Sequence, residues 1–172
     1  MTGLGDRPLA GLLEVVAAPD PAPGGGSSSA IAAALAAALL EMSAGIELAR
    51  EQAPEDVGSE VPARAAELRA EALELADRDL SSYAPVLEAL RLPRDHPERA
   101  GRLEAALTEA SRTPLAIAEA AAEAATLGAL VTAASHPAIK GDALTGVLIA
   151  EAATVAAAAL VEINLTLSLI HI

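Results

Sequence analysis

The sequence of 172 residues combines 53% hydrophobic residues with only 1% aromatic ones and carries a formal net charge of −13 at pH 7. This acidic balance argues against a nucleic-acid partner and against an anionic membrane surface, since both bind basic surfaces. The absence of cysteine excludes disulfides, thiolate catalysis and cysteine-based metal sites. The first residues lack the basic and apolar regions of a signal peptide, so we expect a cytoplasmic protein.

The apolar residues are mostly Ala and Leu, which favour helices, whereas residues that favour strands are scarce or scattered. The chain length suits one domain, and we expect residues 1–172 to form a single all-α domain. In chain order, apolar periodicity and the positions of proline predict helices over about residues 8–17, 28–52, 61–91, 97–111, 113–133 and 142–167. Because the links between them are short, we expect a mostly antiparallel bundle of five to six helices.

The segment 143–161 is apolar enough to raise the question of a membrane span. It is interrupted by Glu151, Thr145 and Thr154, and no basic residues flank it as anchors. Because a charge in the middle of a membrane is costly, a buried central helix is the better interpretation.

The three histidines, His96, His136 and His171, are scattered and show no metal-ligand spacing, so we expect no metal site. Residues 168–172 are apolar and end abruptly. We expect them to be a non-native tail and assign no function to His171.

One acidic residue interrupts an apolar helical stripe in the segment after Pro62. The stripe has spacings of three and four and consists of Val61, Ala65, Leu68, Ala72, Leu75, Asp79, Tyr83, Val86 and Leu90. Asp79 must be paired, hydrogen-bonded or directed into a cavity, because an isolated charge is costly to bury. A buried structural partner and a functional group remain equally open, whereas Asp77 and Arg78 fall off the stripe and are expected in solvent.

A glycine run, Gly24 to Gly26, directly precedes a predicted helix. Glycines at a helix start leave N–H groups accessible to an anion or an electron-rich ligand atom. They also suit a flexible turn with Ser27 or Ser28 as the N-cap, which the residues alone favour. The run is not a P-loop, because no Lys-Ser/Thr follows it.

Two further polar residues lie at the ends of the last predicted helix. Asp142, after Gly141, has the position of an N-cap, and a functional role is the alternative. Asn164 is in step with Leu160 and Leu167, so it is expected to be a buried polar residue that needs a partner.

Several blocks resemble, in order, the cyclodeaminase/cyclohydrolase family, which contains the cyclodeaminase part of formimidoyltransferase-cyclodeaminase and stand-alone methenyltetrahydrofolate cyclohydrolases. The blocks are Pro21 to Ser27 with the Ala-rich helix ending in Met42, Asp79 to Tyr83, Ala89 to Arg94, Thr113 to Ala118, Gly141 to Ala143, and Ile163 to Leu165. Each block alone is weak, but together they span nearly the whole chain and are fairly specific.

The resemblance implies a helical homodimer that binds a tetrahydrofolate derivative as its substrate in a cleft. It implies either ring closure of 5-formimidoyltetrahydrofolate with loss of ammonia or addition of water to 5,10-methenyltetrahydrofolate. Asp79 and Asp142 are the catalytic candidates, because a carboxylate stabilises a cationic amidine-like carbon and moves protons. The substrate-binding candidates are Gly24, Gly25, Gly26, Ser27, Arg50, Tyr83, Arg94 and Asn164.

The chain departs from the family pattern at three places. Arg50 is followed by Glu51 where similar proteins have a Lys, and Ser135-His136 and Gly141-Asp142 replace Gly-Asn and Ser-Asp. These departures leave open a non-catalytic helical homologue with residual folate binding or a scaffold role. Because a folate tail is anionic and the chain is acidic, we expect a basic cluster supplied by Arg50, Arg94 and Lys140.

Overall fold

The structure, a computed structural model, describes residues 3–50 and 58–170. Within these ranges every regular element is helical, which confirms the all-α prediction. A short 3-10 helix at Leu4–Asp6 precedes seven α-helices: α1 (Leu9–Ala17), α2 (Gly25–Leu48), α3 (Glu60–Ser82), α4 (Ala84–Arg91), α5 (Arg99–Ala110), α6 (Arg112–Ala134) and α7 (Pro137–Ile170).

Four long helices, α2, α3, α6 and α7, pack around one another as the central bundle. Gly25 at the start of α2 lies beside Leu160 near the end of α7, whereas Gly146 near the start of α7 lies beside Leu39. Arg64 near the start of α3 binds Glu123 in the middle of α6, whereas Arg78 near the end of α3 lines a groove with Thr113 at the start of α6. These pairs make α2 antiparallel to α7 and α3 antiparallel to α6.

Small side chains allow the central helices to approach closely. The fully buried alanines include Ala30, Ala37, Ala121, Ala150 and Ala157. At Gly128 of α6, an added Cβ would lie 2.7 Å from Val147 of α7 and 2.9 Å from Leu40 of α2. Both distances are too short for a carbon contact, so this three-helix crossing requires glycine.

The α4–α5 pair connects α3 to α6 at one end of the bundle. It has its own apolar cluster, which includes Val86, Leu103 and Leu107. α2 and α6 begin at this end, and α3, α5 and α7 end there. The remaining termini of the long helices lie at the opposite end.

Three helix boundaries differ from the prediction. The helix predicted over 61–91 is divided at Tyr83, because Pro85 has no N–H for a helical bond and its ring clashes with the carbonyl four residues earlier. α7 begins at Pro137, which suits the first turn, so the expected N-cap at Asp142 is wrong. α2 begins at Gly25 rather than at residue 28 and ends at Leu48, whereas its predicted end at residue 52 lies outside the described residues.

Three helical segments are long and apolar enough to cross a membrane by length and composition alone: Gly25–Leu48, Arg99–Ala134 and Pro137–Leu169. The expectation of a buried helix at 143–161 holds for one face only. Ala150 and Ala157 are completely buried, whereas Leu148 and Val155 are 56% and 70% exposed. α2 is more buried in the bundle than α7.

Candidate functional site

An open cleft of about 210 Å³ lies at the end of the bundle where α2 and α6 begin. The chain enters it through the proline-rich turn before α2. Its wall includes Pro21, Gly24, Gly25, Gly26, Asp79, Tyr83, Pro114, Leu160 and Asn164. The sequence-predicted glycine run, Asp79, Tyr83 and Asn164 are therefore brought together at one place.

Asp79, near the end of α3, caps the start of α2. Its Oδ2 accepts the backbone N–H of Ser27 at 2.7 Å, and the half-buried side chain also lines the cleft. Among the described residues, Oδ1 accepts no hydrogen bond. The carboxylate thus satisfies one of the unpaired N–H groups of a helix start and lies at the positive end of the helix dipole.

Gly26 is the glycine that this arrangement requires. A Cβ at this position would overlap the Asp79 carboxylate. At Gly25 an added Cβ would meet only the Leu160 methyl groups, at 3.6 and 3.7 Å, which is ordinary van der Waals contact. The helix start already binds the Asp79 carboxylate, so the anion that the glycine run was suited to bind comes from the chain itself.

Ser27 is not placed as a substrate ligand, which corrects the expectation from sequence. The residue is completely buried, and its Oγ lies 3.0 Å from Asp79 Oδ2 and 3.1 Å from the carbonyl oxygen of Ala76. The single hydroxyl proton serves one of these oxygens at a time. Ser27 therefore fixes the position of Asp79 rather than facing the cleft.

Tyr83 and Asn164 form a further part of the wall. Tyr83, at the junction of α3 and α4, is 38% exposed. Asn164, near the end of α7, is half-buried, and its Nδ2 donates to the carbonyl oxygen of Ala110 at 3.3 Å. The amide thus has the partner that its position in the helix predicted, the last carbonyl of α5.

Asp142 does not reach the cleft. It is exposed near the start of α7, and Asn164 follows it by 22 residues, which is roughly 33 Å of helix. Within one chain, Asp79 and Asp142 therefore lie at opposite ends of the bundle. These two catalytic candidates are not brought together within a single protomer, because α7 extends along the whole bundle.

The three predicted basic residues also lie outside the cleft wall. Arg50 follows α2 and Lys140 lies in the first turn of α7, both at the end opposite to Asp79. Arg94 is exposed in the turn after α4. Within one protomer, Arg50, Arg94 and Lys140 therefore do not form the expected basic cluster at the cleft.

Sequence reasoning missed a buried acid at the end opposite to the cleft. Glu47 is 1% exposed, and its Oε1 accepts the backbone N–H of His136 at 2.9 Å. Arg50 Nε lies 3.5 Å from Glu47 Oε2. The available signal was its spacing, because Glu47 follows Leu40 by seven residues and Ala44 by three on an apolar helical face. These contacts give Arg50 and the Ser135-His136 segment structural roles.

A second groove, of about 320 Å³, adjoins the cleft, and Ser82 lines both. Its wall consists of Arg78, Ser81, Ser82, Pro85, Glu109, Arg112 and Thr113. Arg78 falls outside the apolar stripe of α3 and is exposed, as predicted. Non-local packing of α3 against α6 brings it near Arg112.

The residues with metal-binding side chains are dispersed. Between residues 3–50 and 58–169, no group of three or more His, Asp or Glu side chains has the proximity to hold a metal ion.

The chain is similar to a known protein family and to a solved structure. The family model of formiminotransferase-cyclodeaminase matches residues 8–168. The crystal structure of formiminotetrahydrofolate cyclodeaminase from Thermotoga maritima is similar with a TM-score of 0.84 at 25% sequence identity, over 95% of this chain and 80% of that chain. No curated protein sequence matches the chain. Because the family match spans most of the sequence, the chain belongs to the formiminotransferase-cyclodeaminase family.

Proposed function

We propose that the chain binds a tetrahydrofolate derivative in the Asp79 cleft and closes the ring of 5-formimidoyltetrahydrofolate with release of ammonia. The family and the Thermotoga maritima enzyme support a folate-related, cyclodeaminase-type function. The observation that carries the proposal is the placement of Asp79. One carboxylate oxygen is fixed by α2, and the other accepts no hydrogen bond from the described residues in a half-buried cleft.

The chemistry needs a group that stabilises a cation and moves a proton. The formimidoyl group is an amidine, which is cationic when protonated. Ring closure forms a bond from N10 to the formimidoyl carbon and breaks the bond from that carbon to the terminal nitrogen. The N10 proton must reach the departing nitrogen, so that ammonia leaves. Asp79 is suited to accept this proton and return it, and its charge stabilises the cationic carbon.

The same carboxylate suits the second reaction, addition of water to 5,10-methenyltetrahydrofolate, because that substrate also has a cationic carbon between two nitrogens. Asp79 would then remove a proton from the attacking water. Incubation with each substrate in turn separates the two reactions. Ring closure creates the methenyl chromophore and releases ammonia, whereas hydrolysis removes the chromophore without ammonia.

One observation favours a non-catalytic homologue as the alternative. The titratable side chains on the cleft wall are Asp79 and Tyr83, and Asp142 lies at the other end of the bundle. Asp79 already has a structural task as the cap of α2. Such a homologue would bind a stable folate. It would neither form the methenyl chromophore from 5-formimidoyltetrahydrofolate nor remove it from 5,10-methenyltetrahydrofolate.

We also propose that the protein is a homodimer. Leu144, Leu148 and Val155 are exposed along α7, at 46%, 56% and 70%, and the exposed Glu151 is the acidic residue among them. Their spacing of four and seven residues places them on one side of the helix. Exposed apolar faces of this length usually mark association sites.

A further inference from the structure

The groove beside the cleft concentrates positive charge in an acidic protein. The chain has 11 Lys and Arg residues against 24 Asp and Glu residues, yet Arg78 and Arg112 line the same groove. Such a pair in a concave surface attracts anions, because the walls concentrate the field.

The two arginines differ in how far their charges are compensated. Arg112 Nε lies 3.0 Å from Glu109 Oε2. Arg78 forms no ion pair with residues 3–50 or 58–169. Ser81 and Ser82 direct their hydroxyls to the backbone oxygens of Arg78 and Asp79, at 3.0 and 2.9 Å. The groove therefore has a net positive charge that arises from Arg78.

Because the cleft is small and open, a folate bound there would extend beyond it. Sites for molecules of drug size are about 300–1,000 Å³, whereas the cleft measures about 210 Å³. No Lys or Arg belongs to the cleft wall, so an anionic group finds no counter-charge there. The adjoining groove of about 320 Å³ has both the volume and the charge.

We propose that Arg78 and Arg112 bind the glutamate carboxylates of the folate, while its cationic one-carbon end faces Asp79; this rests on the proposed function. The bound folate then extends over Ser82, with its cationic end at Asp79 and its carboxylates at the two arginines. Guanidinium groups suit carboxylates because they form paired, charge-assisted hydrogen bonds.

Calorimetric titration with two probes tests this assignment. One is 5-formyltetrahydrofolate, and the other is the primary amide of 5-formyltetrahydropteroic acid, in which an NH2 group replaces the glutamate so that its carboxylates are lost. Arg78→Gln should weaken binding of the folate about 5–10-fold and leave binding of the pteroic acid amide within about 2-fold, since only the folate has carboxylates. Arg112→Gln should show the same selectivity with a smaller loss, because Glu109 already compensates its charge.

Two further variants complete the comparison. Arg94→Gln removes an exposed arginine outside the cleft and the groove, so it should change neither affinity. Glu109→Gln removes the negative charge from the groove and should strengthen binding of the folate alone. Arginine losses that are equal for the two probes, or equal to those of Arg94→Gln, would overturn the assignment while leaving the proposed function intact. Absence of binding for both probes to the unmodified protein would instead reject the groove and the proposed function together.

Discussion

Gly26 and Asp79 depend on each other, because the carboxylate occupies the volume that a Cβ at position 26 would need. Two alternatives were open for Asp79 from its place on an apolar stripe, a structural partner or a functional group. The hydrogen bond to Ser27 gives it the first role, and its place on the cleft wall is the basis for proposing the second. The stripe identified the residue, but its partner lies 52 residues away in sequence, beyond the reach of any periodicity.

At Gly26, replacement by alanine should displace the Asp79 carboxylate from the start of α2. Gly26→Ala is expected to lower the free energy of unfolding by about 1–3 kcal/mol, because a helix N–H and a carboxylate lose their hydrogen bond. Urea unfolding measures this. Gly25→Ala is the matched control, since its Cβ meets Leu160 at ordinary distance. Equal stability of the two variants would show that Asp79 does not depend on Gly26.

For the individual helices, apolar periodicity and capping rules predicted most elements. They failed where a side chain distant in sequence or a single proline determines where a helix begins or ends. The start of α2 has no cap in its own sequence, since Gly24 is the N-cap residue and Asp79 of α3 supplies the carboxylate. The start of α7 lies earlier than Asp142 because Pro137 suits the first turn. Pro85 was the available signal for the break between α3 and α4.

The contact between α3 and α6 contains a carboxylate whose titration affects stability. Arg64 donates to both oxygens of Glu123, at 2.6 and 2.7 Å. These bonds lower the pKa of Glu123 and raise that of Arg64. A carboxyl pKa that is lower in the folded state gives stability above the unfolded-state value of about 4.3, which is lost as pH falls through the folded value.

Glu123→Gln is therefore expected to destabilise the protein more at pH 7 than at acidic pH. The difference should stay below about 1 kcal/mol at pH 7, since the two side chains are 37% and 43% exposed and solvent screens them. Urea unfolding of both proteins at a series of pH values gives the comparison. A difference that grows on acidification would contradict this sign.

For the whole molecule, composition predicted the helical class, and the ordered sequence blocks indicated the family. The division of the family-like residues between two ends of the bundle was not predictable. Asp79 and Asn164 meet at one end, and Asp142 lies at the other with Glu47, because the long antiparallel helices separate residues that a linear pattern lists together. The basic groove likewise depends on how α3 packs against α6.

The proposed dimer makes a separate prediction about the α7 face. The unmodified protein should sediment as a dimer at micromolar concentration, and Val155→Glu should shift it towards monomer, because a charge would replace an apolar contact. Leu9→Glu is the control, since Leu9 is equally exposed, at 70%, but lies on α1. A monomeric unmodified protein, or equal effects of the two variants, would contradict association through α7.

The turnover of Asp79→Asn tests whether Asp79 is the catalytic acid–base. Asparagine keeps an oxygen that accepts the Ser27 N–H, so the helical fold and most of the folate affinity should persist, but it cannot transfer the proton. We expect formation of the methenyl chromophore from 5-formimidoyltetrahydrofolate to fall at least about 100-fold, as expected for a general acid–base. Asp77→Asn is the matched control, because its carboxylate binds the Leu4 N–H outside the cleft. Near-normal turnover is expected for Asp77→Asn and almost none for Asp79→Asn; undiminished turnover in a folded Asp79→Asn protein would show that Asp79 does not transfer the proton.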